Sequence, residues 1–156
     1  MKVLQYKEGQ ESLLNIPMDF ILSTDCGKYH TKLLMKLAAL GPKAKDNALG
    51  FSANQLRVNA HCFLANIGNR HRLWTFFANC EIIDRGDQFQ ATEECLSLPG
   101  KTFNVIRYNI IVATYFDKYG CDGEQTFTGI PAQIIQHEVD HCNGILINQH
   151  DKGVAL

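Results

Sequence analysis

The stretch Gln136-His137-Glu138-Val139-Asp140-His141 carries the pattern H-E-x-x-H. On an α-helix, residues four apart share a face, so His137 and His141 can turn their imidazoles toward one metal ion. Glu138 follows the first His, where its carboxylate reaches a water at such a metal rather than the metal itself. The plainer alternative is a surface helix with two unrelated His. A catalytic site needs a third protein ligand, and its position sorts the alternatives. No Glu follows Glu138, which excludes a thermolysin-like arrangement. In the frame H-E-x-x-H-x-x-G-x-x-H, Ile147 stands where the third His belongs. Downstream, Cys142, His150 and Asp151 remain, and Cys142 adjoins His141 and so points off the ligand face.

Upstream, Glu93-Glu94-Cys95-Leu96-Ser97-Leu98-Pro99-Gly100 reads as an extended segment reaching a Pro-Gly turn. Its Cys lies among polar residues, whereas a structural Cys is usually surrounded by aliphatics. Cys26, Cys62, Cys80, Cys121 and Cys142 all read as inert hydrophobes of that kind. Cys95 is therefore the candidate third ligand, against the alternative that it too only packs.

A further segment, Ala48-Leu49-Gly50-Phe51-Ser52-Ala53-Asn54-Gln55, completes a set. The E-x-C-L-S run, the Gln-His-Glu-x-Asp-His run and this segment resemble the three motifs of the peptide deformylase family, in the family's order and over nearly the whole chain. Three positions depart from its pattern. Ala48 stands for the first Gly of G-x-G-x-A-A-x-Q, Ser52 for an Ala, and Glu94 for the Gly of E-G-C-L-S. The first two changes are small; Glu94 bears on the substrate groove, because the family's Gly lets a peptide backbone pass close by.

The resemblance implies hydrolysis of the N-formyl group from the formyl-methionine of nascent polypeptides, with release of formate. It assigns Cys95, His137 and His141 as metal ligands and Glu138 as general base and acid. The Gln55 side-chain amide and the Leu96 backbone N–H become donors to the developing oxyanion. Gln55 has a plainer alternative as a cap for nearby backbone groups. Gly50 and Leu49 are expected to line the peptide groove with Glu94. Ile130 and Ile134 are candidates for an apolar methionine pocket, or plain core. Arg107, Glu93 and Asp140 form a candidate ion-pair cluster orienting the ligand His, unless Arg107 is a solvated charge. The cofactor is one divalent metal. A thiolate with two imidazoles suits Fe(II) and Zn(II) alike. The resemblance favours iron in the cell, with zinc or nickel as replacements.

Composition narrows the class. The chain of 156 residues is expected to be one domain, with 15 basic and 16 acidic side chains. That balance gives no basic excess for nucleic acid. No signal-like start or membrane-length apolar run appears, so a soluble intracellular protein is expected. The resemblance implies a cytoplasmic or organelle form, a monomer, acting near the ribosome exit. Six Cys at wide, irregular spacings with no C-x-x-C read as reduced thiols.

Apolar periodicity predicts a helix over 30–40, stopped by Gly41-Pro42, and a charged loop over 43–47. Strands are expected at 58–67, 73–83, 105–116 and 125–128, with turns at Gly68-Asn69, Asp84-Arg85-Gly86-Asp87 and Lys118-Tyr119-Gly120. A last helix runs from Pro131 to Asn143, ended by Gly144. That order argues an α+β domain, with antiparallel or mixed β-sheets packed around the metal-binding helix. The short tail after Gly144 resembles the shortened deformylases that some bacteriophages encode. Two rivals remain: a metallopeptidase cutting internal amides, and an inactive peptide binder whose groove Glu94 blocks.

Overall fold

The computed structural model describes residues 1–6, 12–40, 48–68 and 74–150. Five antiparallel strands join in chain order: β1 (Gly50–Ser52), β2 (Cys62–Asn66), β3 (Trp74–Glu94), β4 (Thr102–Phe116) and β5 (Asp122–Thr128). Helix α1 (Cys26–Ala39) precedes them, and α2 (Ile130–Cys142) and the single turn α3 (Ile147–His150) follow. The α+β expectation holds.

Strand β2 is apolar and buried from Cys62 to Ala65 because both its faces are covered. Cys62 and Leu64 join Leu33 and Leu37 of α1 in one core cluster, while Phe63 and Ala65 join Ile135 and Val139 of α2 in another. The alternation of side chains along a strand thus feeds two cores. A third cluster around Leu14, Val105, Leu98, Leu146 and Ile147 closes the region behind Cys95.

Several boundaries differ from the sequence reading. Helix α1 starts at Cys26 rather than His30, because Cys26 repeats the buried spacing of Leu33 and Leu37. Strand β2 begins at Cys62, since Asn54–Leu56 form a 3₁₀ turn and Arg57 takes a left-handed conformation. Strand β5 begins at Asp122. The predicted turn at Asp84–Asp87 is absent: β3 runs through it, pairing Asp84 with Val112 and Gln88 with Tyr108. The loop over 43–47 lies outside the described residues, as does part of the Gly68-Asn69 turn.

Helix α2 is bounded as its sequence suggests. Pro131 sits in the first turn, and Gly144 ends it at φ 74°. Only glycine fits there, because a Cβ would press on the backbone of Ile16 at 2.5–2.8 Å. The close approach lets Met18 N–H donate to Cys142 O at 2.8 Å, tying the N-terminal segment to the helix end.

Candidate metal centre

Along the end of β3, Glu93 and Cys95 point into the protein and Glu94 points out. Leu98 N–H then donates to Cys95 O at 2.9 Å, turning the chain just past the thiol. Facing it, His137 and His141 lie one helical turn apart with ring centroids separated by 4.9 Å. Cys95 Sγ is 3.2 Å from His141 Nε2. The ligand atoms of Cys95, His137 and His141 all lie within 4.8 Å of one another.

The ring orientation of His137 has a built cause. Its Nδ1 meets Glu93 Oε2 at 2.9 Å, which leaves Nε2 to the ligand cluster. Arg107 holds Glu93 with a two-pronged bond, Nε to Oε1 at 2.8 Å and Nη2 to Oε2 at 2.9 Å. Its third arm, Nη1, donates to Asp140 Oδ2 at 2.6 Å, and His150 Nε2 meets the same oxygen at 2.9 Å. Arg107 is 1% exposed, so it is no solvated charge. A buried guanidinium needs such partners.

Protonation follows from these neighbours. Burial alone would push the Cys95 thiol up, but the two imidazoles beside it outweigh that and bring it down to about 5, in the thiolate range. Burial likewise opposes charge on Asp140 and Glu93. Bonds from His150 and Arg107 hold Asp140 low, and bonds from Arg107 and His137 hold Glu93 low. Glu138 goes the other way: burial raises it to about 7, against the pull of His137 and His141. Its Oε2 has no hydrogen-bond partner among the described residues. Gly50 packs directly on its carboxylate, and a Cβ there would overlap Oε1.

Gln55 is buried and pinned at both ends. Its Oε1 accepts from Ser52 N–H at 3.1 Å, which fixes the amide so that Nε2 faces Ser97 Oγ at 3.2 Å and Cys95 Sγ at 3.6 Å. Asn54 Nδ2 donates to His141 O at 2.6 Å, anchoring the 3₁₀ turn to α2. Leu96 is half-buried next to Cys95.

A groove of about 730 Å³ opens at this cluster, lined among others by Leu49, Gly50, Glu94, Ile130, Ile134 and Glu138. Leu49 and Ile130 are exposed along it, whereas Ile134 is buried and belongs also to the core. A second cavity of similar volume lies behind α2, with Phe20, His61, Arg85 and His150 on its walls.

The sequence reading missed Ser52, Asn54, Ser97 and Gln133, whose Nε2 donates to Glu93 at 3.1 Å, and it had no role for His150 beyond a leftover ligand. Polar residues beside motif positions were the available signal for the first three. Cys121 is exposed, unlike the other five thiols, so it is not the buried hydrophobe expected. Cys142 is buried, its thiol directed at Cys62 O.

One thiol pulled toward thiolate, two imidazoles and an orphaned carboxylate oxygen fit a divalent cation of the zinc or iron(II) type with a position left toward the groove. An α+β domain with this cluster on its last long helix defines the class: a protein with an H-E-x-x-H metal centre. The model of the polypeptide deformylase family matches residues 10–154, and the chain belongs to that family of metallohydrolases, which remove the N-formyl group from nascent polypeptides. The peptide deformylase of Clostridium beijerinckii is 35% identical over 102 residues, covering 65% of this chain and 72% of the relative. That of Xylella fastidiosa is 37% identical over 100 residues, or 63% of this chain and 58% of the relative. The structure of the Thermotoga maritima peptide deformylase superposes with a TM-score of 0.80 at 23% identity, covering 96% of this chain and 95% of that one. A probable peptide deformylase from Synechococcus phage S-SSM7 gives a TM-score of 0.83 at 22% identity, over 96% and 99%. At such identities the likeness concerns the fold.

Proposed function

We propose that this chain acts as a single catalytic domain that removes the formyl group from formyl-methionine peptides, with Cys95, His137 and His141 holding one divalent cation. The observation that carries the reading is the convergence of those three ligand atoms, within 4.8 Å of one another, beside a buried Glu138 at the floor of an open groove. A bound divalent cation supplies Lewis acidity, bringing the pKa of a water toward neutrality and polarising the formyl carbonyl. Glu138 would take a proton from the attacking water as its oxygen adds to the formyl carbon. The same carboxyl then returns the proton to the leaving nitrogen as the C–N bond breaks, giving formate and a free amine. As the carbonyl oxygen gains charge, the Gln55 Nε2 and the Leu96 backbone N–H donate to it. Ser52 supports the role of Gln55 by holding the amide in one orientation.

Leu49, Ile130 and Ile134 form the apolar wall for the methionine side chain, and Gly50 admits the peptide close to Glu138. Iron(II) is the cation in the cell, with zinc or nickel as replacements, and the chain works as a cytoplasmic monomer on nascent chains near the ribosome exit. Among the described residues, no helix is long and apolar enough to cross a membrane.

Formate release from formyl-Met-Ala, measured anaerobically with added Fe(II), tests the reading. Turnover of that peptide with unformylated Met-Ala-Ser left intact supports it. Cleavage of internal amides would make the chain a metallopeptidase, and no turnover with metal bound would make it a binder.

A further inference from the structure

Glu93 and Glu94 are neighbours in sequence but lie on opposite faces of β3, because side chains alternate along a strand. Glu93 is buried and paired to Arg107. Glu94 is exposed, and with Thr92 on the same face it lines the groove opposite Leu49 and Ile130. Among the described residues the groove wall contains no Lys or Arg. Lys101 adjoins Thr102, the cross-strand partner of Glu94, yet forms no ion pair with it. Of the other two carboxylates of the groove, Glu93 is paired with Arg107 and His137, and Glu138 is buried at 3% exposure beneath Gly50. Glu94 is therefore the charge that a peptide meets on entering.

Position matters as much as sign. The Cα atoms of Glu94 and Cys95 are about 3.8 Å apart, as for any trans-linked neighbours. An extended peptide advances roughly 3.3 Å per residue. With its formyl carbon at the Cys95 cluster, the second and third side chains of such a peptide pass within reach of the Glu94 carboxylate. We propose that Glu94 makes the groove charge-selective, favouring formylated peptides with Lys or Arg at the second or third residue over those with Asp or Glu there. The inference rests on the deformylase reading for the direction in which the peptide lies.

Exposed charge pairs are worth a few-fold each, and attraction of a cation combines with repulsion of an anion. For formyl-Met-Lys-Ser and formyl-Met-Ala-Lys against their Glu counterparts, the kcat/KM ratio in at least one pair is expected to be about tenfold in low salt. It should shrink toward unity at ~0.5 M salt, as screening requires. Glu94→Gln should bring it to within about twofold and Glu94→Lys should invert it. The same ratios are read by calorimetric titration of the metal-loaded protein with the unformylated peptides, which needs no chemistry. Binding selectivity without formate release would sink the hydrolase reading and keep the selective groove. Equal kcat/KM and equal binding for the charged peptides, or a preference that survives Glu94→Gln, would overturn the proposal.

Discussion

Glu138 and Asp140 stand two residues apart on α2, both buried, and their surroundings drive them in opposite directions. A separation of two residues is about 200° around a helix, so one faces the groove and the other faces the back. At the front, Glu138 has an oxygen without a partner, and burial lifts it to about 7. At the back, Asp140 shares Arg107 and His150 and is held low despite its burial. The helix thus separates a face with an unpartnered carboxylate, which the proposed reaction uses, from a face where Asp140 is paired with Arg107 and His150. At the front a carboxylate oxygen lacks a partner; at the back Arg107, Asp140 and His150 pair with one another while also lining the second cavity.

The sharpest test of this division is Glu138→Gln, which keeps shape and removes the proton carrier. Turnover should fall by ~10²-fold or more with metal content unchanged. A variant that instead lost metal would move Glu138 to the supporting side.

Arg107→Leu attacks the back. It takes the guanidinium from two buried carboxylates and leaves Glu93 to His137 and Gln133 and Asp140 to His150, with an expected cost of about 3–5 kcal/mol in urea unfolding. Metal affinity should also fall ~10–100-fold, because Glu93 no longer fixes the His137 ring. Unchanged stability would mean that water replaces the guanidinium and the back is not closed.

Gln55→Ala returns to the front. Losing one donor to the oxyanion should lower kcat ~10²–10³-fold, with little change in metal content. An effect confined to KM would make Gln55 a binding or packing residue.

The two acids also separate by pH in the metal-free protein. Glu138 has a folded pKa of about 7, above the ~4.3 of an unfolded chain. Its ionisation therefore costs stability as pH rises from about 4, and the full cost is present above about 7. Glu138→Gln should accordingly stabilise the metal-free protein at pH 8, by up to about 4 kcal/mol, and change little at pH 4. Asp140 has the opposite sign. Held below the ~3.9 of an unfolded Asp, it adds stability above that pH and loses it as pH falls through its folded value. Asp140→Asn should therefore destabilise at pH 8, with the gap to the parent narrowing below pH 4. Same-sign effects of both substitutions at pH 8 would break the comparison.

The smallest effect is expected for His150→Ala, which removes one of two partners from Asp140. About 1–2 kcal/mol should be lost, with turnover changed by less than about threefold.

Much of the front was legible in the sequence because its geometry is local. The spacing of His137 and His141 is one helical turn, Glu138 follows from the same period, and Pro131 and Gly144 bound the helix by their own backbone chemistry. The polar surroundings of Cys95 marked it as the third ligand candidate, and the resemblance over three motifs added Gln55. Local chemistry misleads where two outcomes share it. Asp84-Arg85-Gly86-Asp87 has the composition of a turn, and Asp87 does take a left-handed φ of 59°. The chain nevertheless continues, because pairing with β4 through Gln88 and Tyr108 satisfies its backbone, while Arg85 lies over the Tyr108 ring at 5.3 Å.

The sequence by itself determined the ligand helix, the identity of the groups on it and the family to which they belong, since all three depend on residue type and short spacing. Only the tertiary structure decided whether Arg107 was a solvated cation or the hub of a buried cluster. It also decided whether Gly50 merely lined a groove or made room for Glu138. Burial and charge pairing are sums over segments distant in the chain, and β3, β4 and α2 meet at Arg107 only when folded. The same sum sets the protonation of Glu138, because the low dielectric that lifts it comes from residues packed around the helix rather than from the helix itself.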